Sequence, residues 1–203
     1  VLLYMARIAR FDRVVHATIA VSPTALAEAD ALDRERAQGR VRGPMHGIPV
    51  ALKDNIHAAN MPTTGGALAF TNLVAPYEAT LTKNLKDAGA IIIAKTTLTE
   101  LANWVTQGMP ANYSAVGGYG MNPYDPRPDP RDGTNDGRPA MGTGGSSSGI
   151  GTAANFWATC WVSDCAHGKP WSAKAKICFA FKDPCPKARA WEAIHRPDKV
   201  SSK

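Results

Sequence analysis

The sequence predicts an α/β layer architecture, and three observations carry that prediction. Residues 22–39, SPTALAEADALDRERAQG, have the punctuation and spacing of a helix. Ile91 to Ile93 form a continuous β-branched run, the mark of a strand buried on both faces. Amphipathic segments flank that run on either side. Helix, buried strand and helix in succession argue for helices layered on a sheet.

In the first helix, Ser22 is placed as N-cap and Pro23 at the first helical position. Ala25, Ala29 and Leu32 share one face, and Gly39 is the stop signal. GPMHGIPVALKDNI then changes to strand and turn grammar. Ile48 to Leu52 are apolar apart from Pro49, and Lys53 closes the strand. Lys53 either snorkels to water or is buried with a depressed pKa, as a neutral amine able to act as a base. Further on, Leu81, Leu85 and Ala88 make a helical stripe that Gly89 ends. Thr97 with Glu100 fits a capping box opening another helix. Residues 108–143, rich in Gly, Pro, Asn and Asp, read as a long irregular segment of the kind that is functional or mobile. In NPYDP, Asn122 and Asp125 are expected to turn the chain by bonding their own backbone. Ile150, Ala153, Ala154 and Trp157 have helical spacing, which puts the preceding serines in a loop feeding a helix. His46 and His57, flanking the Lys53 strand, read as surface turn residues.

Composition bounds the classes of function. The 203 residues are 44% hydrophobic and 20% charged, an ordinary globular balance. No run reaches the roughly 18 consecutive apolar residues of a membrane span, so no membrane is expected as a partner. The opening VLLYMARIAR lacks an initiator methionine, an h-region and a cleavage site. The start of the protein is therefore expected upstream, which leaves the compartment open, with the cytoplasm as the default and secretion as the alternative. The net charge of +6 is uneven: residues 1–162 carry 14 Lys and Arg against 13 Asp and Glu, and residues 163–203 carry 9 against 4. The basicity belongs to the tail and gives no reason to expect a nucleic acid.

The stretch GTGGSSSGIG admits several readings. Glycine and serine are also the composition of a flexible linker. A phosphate-binding loop would end in Gly-Lys-Ser/Thr, whereas Gly149 is followed by Ile150. Gly145, Ser147 and Gly149 match a nucleophile elbow literally, which would make Ser147 the nucleophile of an α/β-hydrolase-type esterase with His167 or His195 as its histidine. That motif needs an apolar strand before it, and RPAMGTGG is not one.

Five ordered blocks carry a more specific resemblance: GPMHGIPVALKDNI, MPTTGGA, LKDAGAIIIAKTTLTELANW, MNPYDP and NDGRPAMGTGGSSSGIGTAANF. Together they resemble the amidase signature family of serine hydrolases over about residues 20–158. The resemblance implies an α/β fold with helices around a mixed sheet, of which residues 1–158 would be a partial amidase domain. It implies hydrolysis of a carboxylic amide C–N bond in a small-molecule substrate, with no cofactor and no metal. Lys53 would be the general base and Ser146, with a cis peptide bond, the relay to a second, nucleophilic serine. Gly144, Gly145 and Ser147 would shape the supporting loop. Lys95, which ends its strand as Lys53 does, matches a block with a supporting role.

The resemblance breaks near residue 158. The nucleophile belongs some two dozen residues past Ser146, in a Gly-Thr-Glu-Thr-x-Gly-Ser-like block, but that position is Pro170 and the block is absent. Ser163 and Ser172 are the nearest serines, and neither follows Gly-Gly. Residues 159–203 hold Cys160, Cys165, Cys178 and Cys185 at C-x4-C, C-x12-C and C-x6-C spacings, a poor match to structural zinc. This tail is expected to be foreign to the family, the product of a shifted frame, a retained intron or a misjoined gene. The chain is then an inactive, truncated amidase or, as the alternative, a catalytically dead fragment with an interaction role. An incomplete sheet would expose apolar faces and an open edge and favour aggregation.

Overall fold

The computed structural model describes residues 1–104, 108–131, 136–162 and 176–179. In chain order the elements are α1 (Leu2–Val15), β1 (Thr18–Val21), α2 (Ala25–Ala37), β2 (Pro49–Lys53), α3 (Thr80–Asp87), β3 (Ile91–Thr96), β4 (Tyr113–Ser114), β5 (Gly118–Tyr119), α4 (Ser148–Ala153), β6 (Thr159–Val162) and β7 (Lys176–Phe179). Single 3-10 turns lie at Leu68–Phe70 and Glu100–Asn103. Among the described residues no helix is long and apolar enough to cross a membrane.

Five strands form one sheet in the order β1-β3-β2-β6-β7. Strands β3 and β6 run parallel to β2, while β1 and β7 close the two edges antiparallel, so the sheet is mixed. Every residue of β2 and β3 is buried. This is the pattern of central parallel strands covered on both faces, and it explains the unbroken apolar runs. On one face lie Ala51, Ile91, Ile93 and Ala94, packed with residues of α1, α2 and α4 and with Phe156 and Trp157. On the other lie Val50, Leu52 and Ile92, packed with Leu85 of α3 and with Met45, Ile56 and Met61.

A bulge in β3 decides which side chains reach which face. Val50 pairs with Ile92 and Ala51 with Ala94, so Ile93 is the extra residue. Ile93 and Ala94 consequently both pack into the first cluster. Beyond the bulge the alternation is inverted: Lys95 falls on the face of Ile92, and Thr96 on the face of Ala94.

The expected stripes of α2 and α3 are present, with Ala25, Leu32 and Leu85 buried and Gly39 and Gly89 in the left-handed region beyond the helix ends. Helix α2 begins at Ala25 rather than Pro23. Ser22 Oγ accepts the Thr24 N–H at 3.3 Å and Thr24 Oγ1 donates to Glu28 Oε1 at 2.6 Å, so these hydroxyls build the turn before the helix. Helix α1 lies ahead of every element that the sequence predicts. Its inward stripe is Tyr4, Met5, Ile8 and Val15, and the Asp12 carboxylate accepts the N–H groups of Ala17 and Thr18 to close its C-terminus.

Two local expectations fail for a shared reason. Thr97 and Glu100 make no capping box: Thr97 Oγ1 donates to His16 O at 2.8 Å, and Glu100 Oε2 accepts the Ala115 N–H at 2.8 Å. Leu101 and Ala102 are left-handed, so only a 3-10 turn forms. Helix α4 stops at Ala153, and Trp157 instead folds back over Gly151, where a Cβ would lie 2.0 Å from the indole ring. Distant partners override local spacing in both cases. The described residues between 108 and 143 are irregular apart from the β4–β5 hairpin, and Asn122 Oδ1 and Asp125 Oδ1 accept the N–H groups of Tyr124 and Arg127, as expected.

Pairing with β6 and β7 covers the edge of β2 that an incomplete sheet would leave open. Apolar surface stays exposed at Leu68, Phe70, Leu73, Val74 and Tyr77, and at Leu2 and Leu3 of α1. Such surface is an association liability. Static light scattering on the purified chain is expected to show self-association that grows with concentration. A monodisperse monomer across the accessible range would contradict this.

Candidate active site

The carboxyl ends of the parallel strands β2 and β3 hold the site. In the β2–β3 register Lys53 is paired with Thr96. Alternation from Ala51 puts Lys53 on the face of the first cluster, where Thr96 also points. Lys53 is 7% exposed, so most of the side chain is packed inside the protein.

The serine loop is stitched onto the continuation of β3 just past Thr96. Ser147 N–H donates to Thr97 O at 2.9 Å, and Thr99 N–H donates to Gly145 O at 3.1 Å. Leu98 and Ser146 are bridged antiparallel. Thr96 Oγ1 is 3.0 Å from Ser148 Oγ and 3.5 Å from Ser146 Oγ, and the two serine hydroxyls are 2.9 Å apart. Thr96 thus lies between the Lys53 strand and the half-buried Ser146. No sequence signal marks this threonine, because its position depends on the bulge.

Ser147 is held from two sides. It is fully buried, its hydroxyl is hydrogen-bonded to that of Thr97, and Asn112 Nδ2 donates to it at 2.9 Å. Asn112 is itself fully buried and left-handed at φ 57°. Its N–H donates to Thr99 Oγ1 at 2.7 Å, and its carbonyl accepts the Gly120 N–H at 2.9 Å. Residues 142–145 form no strand, so the strand–turn–helix of a nucleophile elbow is absent. The Ser147 hydroxyl instead ties the loop to Thr97 and Asn112. None of Gly144, Gly145 and Gly149 takes a left-handed φ, and a Cβ at Gly144 or Gly149 would meet nothing within 4 Å. The closest approaches are instead at Gly120 and Gly151, each with a neighbour 2.0 Å from an added Cβ.

On the opposite face, behind Lys53, sits a buried ion pair. Lys95 and Asp54 are both fully buried, with Lys95 Nζ 3.4 Å from Asp54 Oδ1. Lys95 Nζ also donates to Pro62 O and Thr63 Oγ1, both at 3.1 Å. Asp54 Oδ2 accepts the Thr64 N–H at 2.9 Å and the Thr64 hydroxyl at 2.6 Å. Burial pulls the Lys95 amine below its ordinary value, with the Asp54 carboxylate opposing that shift. The adjacent residues Lys53 and Asp54 are thus split across the sheet, one to each face.

His46 is not a surface residue: it is buried, with Nε2 3.0 Å from Leu32 O and Nδ1 accepting the Arg42 N–H at 3.1 Å. Both ring nitrogens are committed to holding the chain before β2. His57 is half-buried and packs edge-on against Tyr77 at 5.3 Å. All described peptide bonds are trans, so the cis bond implied at Ser146 is not formed. A non-proline cis bond costs about 2.5–4 kcal/mol and needs surroundings that enforce it. His167, His195, Ser163, Pro170, Ser172, Cys165 and Cys185 lie outside the described residues. Among those described, no group of three His, Cys, Asp or Glu side chains could hold a metal ion.

Comparison with known proteins identifies the family. A family model described as Amidase matches residues 1–156. The chain belongs to the amidase family. It is 35% identical over 156 residues to a putative amidase of Schizosaccharomyces pombe, covering 75% of this chain and 24% of that protein. It is 38% identical over 148 residues to a glutamyl-tRNA(Gln) amidotransferase subunit of Thermobifida fusca, covering 72% of this chain and 27% of the relative. Among solved structures, it superposes on a peptide amidase bound to the competitive inhibitor chymostatin with a TM-score of 0.71 and 39% identity, over 80% of this chain and 32% of that one. The native peptide amidase of Stenotrophomonas maltophilia gives a TM-score of 0.68 and 40% identity, over 78% and 31%. This amidase-family chain spans about a quarter of the length of the curated relatives it matches.

Proposed function

We propose that this chain carries the base and the relay of a serine amidase, Lys53 and Ser146, and lacks the nucleophile they serve. The observation that carries the reading is the Lys53–Thr96 register, with Thr96 Oγ1 against the hydroxyls of Ser146 and Ser148. A buried lysine and a serine loop share one face at the carboxyl ends of parallel strands, where open α/β sheets bind their ligands.

The chemistry follows from the residue types. Neutral Lys53 takes the Ser146 hydroxyl proton, and Ser146 Oγ takes the proton of the attacking serine hydroxyl. The attacking oxygen bonds to the amide carbon, and the C–N bond breaks as the leaving nitrogen receives the proton returned through Ser146. Water then hydrolyses the acyl-enzyme by the same route in reverse. The substrate class is a carboxylic amide, and the relay needs only side chains.

Residues 159–203 are, in this reading, foreign to the family. The family match ends at residue 156, the Gly-Ser block is missing, and four of the five tryptophans and all four cysteines crowd into residues 157–191. Sequencing the transcript across the codons for Asn155 to Lys203 tests this: another frame or splice that restores a Gly-Ser block some two dozen residues past Ser146 is expected.

Function is tested by completing the site. Residues 1–156 are joined to the C-terminal remainder of the Stenotrophomonas maltophilia peptide amidase, and ammonia release from a C-terminally amidated dipeptide is measured. The joined chain is expected to release ammonia and the 203-residue chain to release none. Catalytic release by the 203-residue chain would overturn the proposal.

A further inference from the structure

Lys53 and Asp54 are neighbours in the chain, so the candidate base carries a carboxylate one residue away. A carboxylate that close favours the protonated amine and works against a neutral base. The structure separates the two groups. Lys53 points to the face of the serine loop, whereas Asp54 is fully buried on the other face against Lys95. Three independent contacts hold it there: Asp54 N–H donates to Thr96 O at 3.2 Å, and its Oδ2 accepts both the N–H and the hydroxyl of Thr64. Lys95 is fixed by Pro62 O and Thr63 Oγ1 on the same loop. The bulge at Ile93 is what turns Lys95 to that face.

We propose that Lys95 is a positioning residue for this site: it holds the Asp54 carboxylate on the far side of the sheet and cancels its charge, so that Asp54 does not lock Lys53 in its protonated form. The proposal rests on Lys53 being the base. Asp54 and Lys95 are the ionisable groups on the strand ends beside Lys53, and Cys160 lies on β6 beside Ala51. The serine loop and α4 bring only hydroxyls, from Ser146, Ser147, Ser148 and Thr152.

Trace acetylation of the full 203-residue chain with acetic anhydride, read by mass spectrometry from neutral to strongly alkaline pH, gives the titration midpoint of Lys53. Lys95→Gln removes the charge but keeps an N–H donor for Pro62 O and Thr63 Oγ1. It is expected to raise the Lys53 midpoint by about half a unit or more, since Asp54 keeps its Thr64 donors and loses its counter-charge. Lys95→Gln combined with Asp54→Asn removes both charges and is expected to return the midpoint to the starting value. A merely structural role for the pair would move the midpoint alike in both variants. An unchanged or lowered midpoint in Lys95→Gln, or a raised one that persists in the double variant, overturns the proposal. If Lys95→Gln does not fold, Lys95→Met in trimethylamine N-oxide takes its place under the same two outcomes. Failure of the underlying reading is seen separately, as amide turnover that survives Lys53→Ala in the joined chain.

Discussion

Gly120→Ala is expected to lower the stability of the chain by about 3 kcal/mol, the upper end for overpacking a tight interior. A Cβ at this position would lie 2.0 Å from Asn112 Nδ2, 2.8 Å from its Cγ and 2.5 Å from Ser147 Oγ. Neither neighbour can retreat. Asn112 is fully buried, with its backbone N–H and carbonyl committed to Thr99 and Gly120 and its amide to Ser147. Ser147 is pinned from the other side by Thr97. The damage therefore falls on the clamp that holds the serine loop. Gly118→Ala is the control: its φ of +66° carries only the left-handed penalty of about 1–2 kcal/mol, and nothing lies within 4 Å of the added carbon. Pulse proteolysis in urea measures both variants. A loss below about 1 kcal/mol for Gly120→Ala would contradict the clamp.

Elements whose partners are close in sequence are legible from the chain. The α2 stripe of Ala25, Ala29 and Leu32, the α3 stripe of Leu81 and Leu85, and the isoleucine run of β3 each state their burial through period alone. The mixed sheet follows from resemblance rather than from periodicity. What fails to show is what depends on contacts across many residues. The bulge at Ile93 leaves no mark in IIIAKT, yet it decides that Thr96 faces the serine loop and Lys95 faces Asp54. The Thr97–Glu100 spacing promises a cap, but the His16 carbonyl and the Ala115 amide take those side chains. His46 reads as a turn residue until the Leu32 carbonyl and the Arg42 amide are brought to its ring.

The site divides in the same way. Lys53 and Ser146 are found by motif, since each ends or opens a short block with its own signature. Their supports are not. Asn112 stands inside an irregular segment and acts through a left-handed backbone that no local pattern demands. The serine loop shows the converse: its glycines at 144, 145 and 149 stand out in the sequence, while the tightest glycines are Gly120 and Gly151, where an added Cβ would lie 2.0 Å from a neighbour.

Everything proposed for this site depends on Lys53 and Ser146 working as base and relay. The decisive experiment is amidated-dipeptide turnover by the joined chain carrying Lys53→Ala or Ser146→Ala, with circular dichroism to confirm that each variant is folded. Loss of either group removes the proton path from the attacking hydroxyl, and general base catalysis of this kind contributes about 100- to 10,000-fold. Each folded variant is expected to lose at least about 100-fold in kcat. A folded Lys53→Ala variant that keeps kcat within about tenfold would show that another group is the base, and the Lys53–Ser146 relay would be wrong.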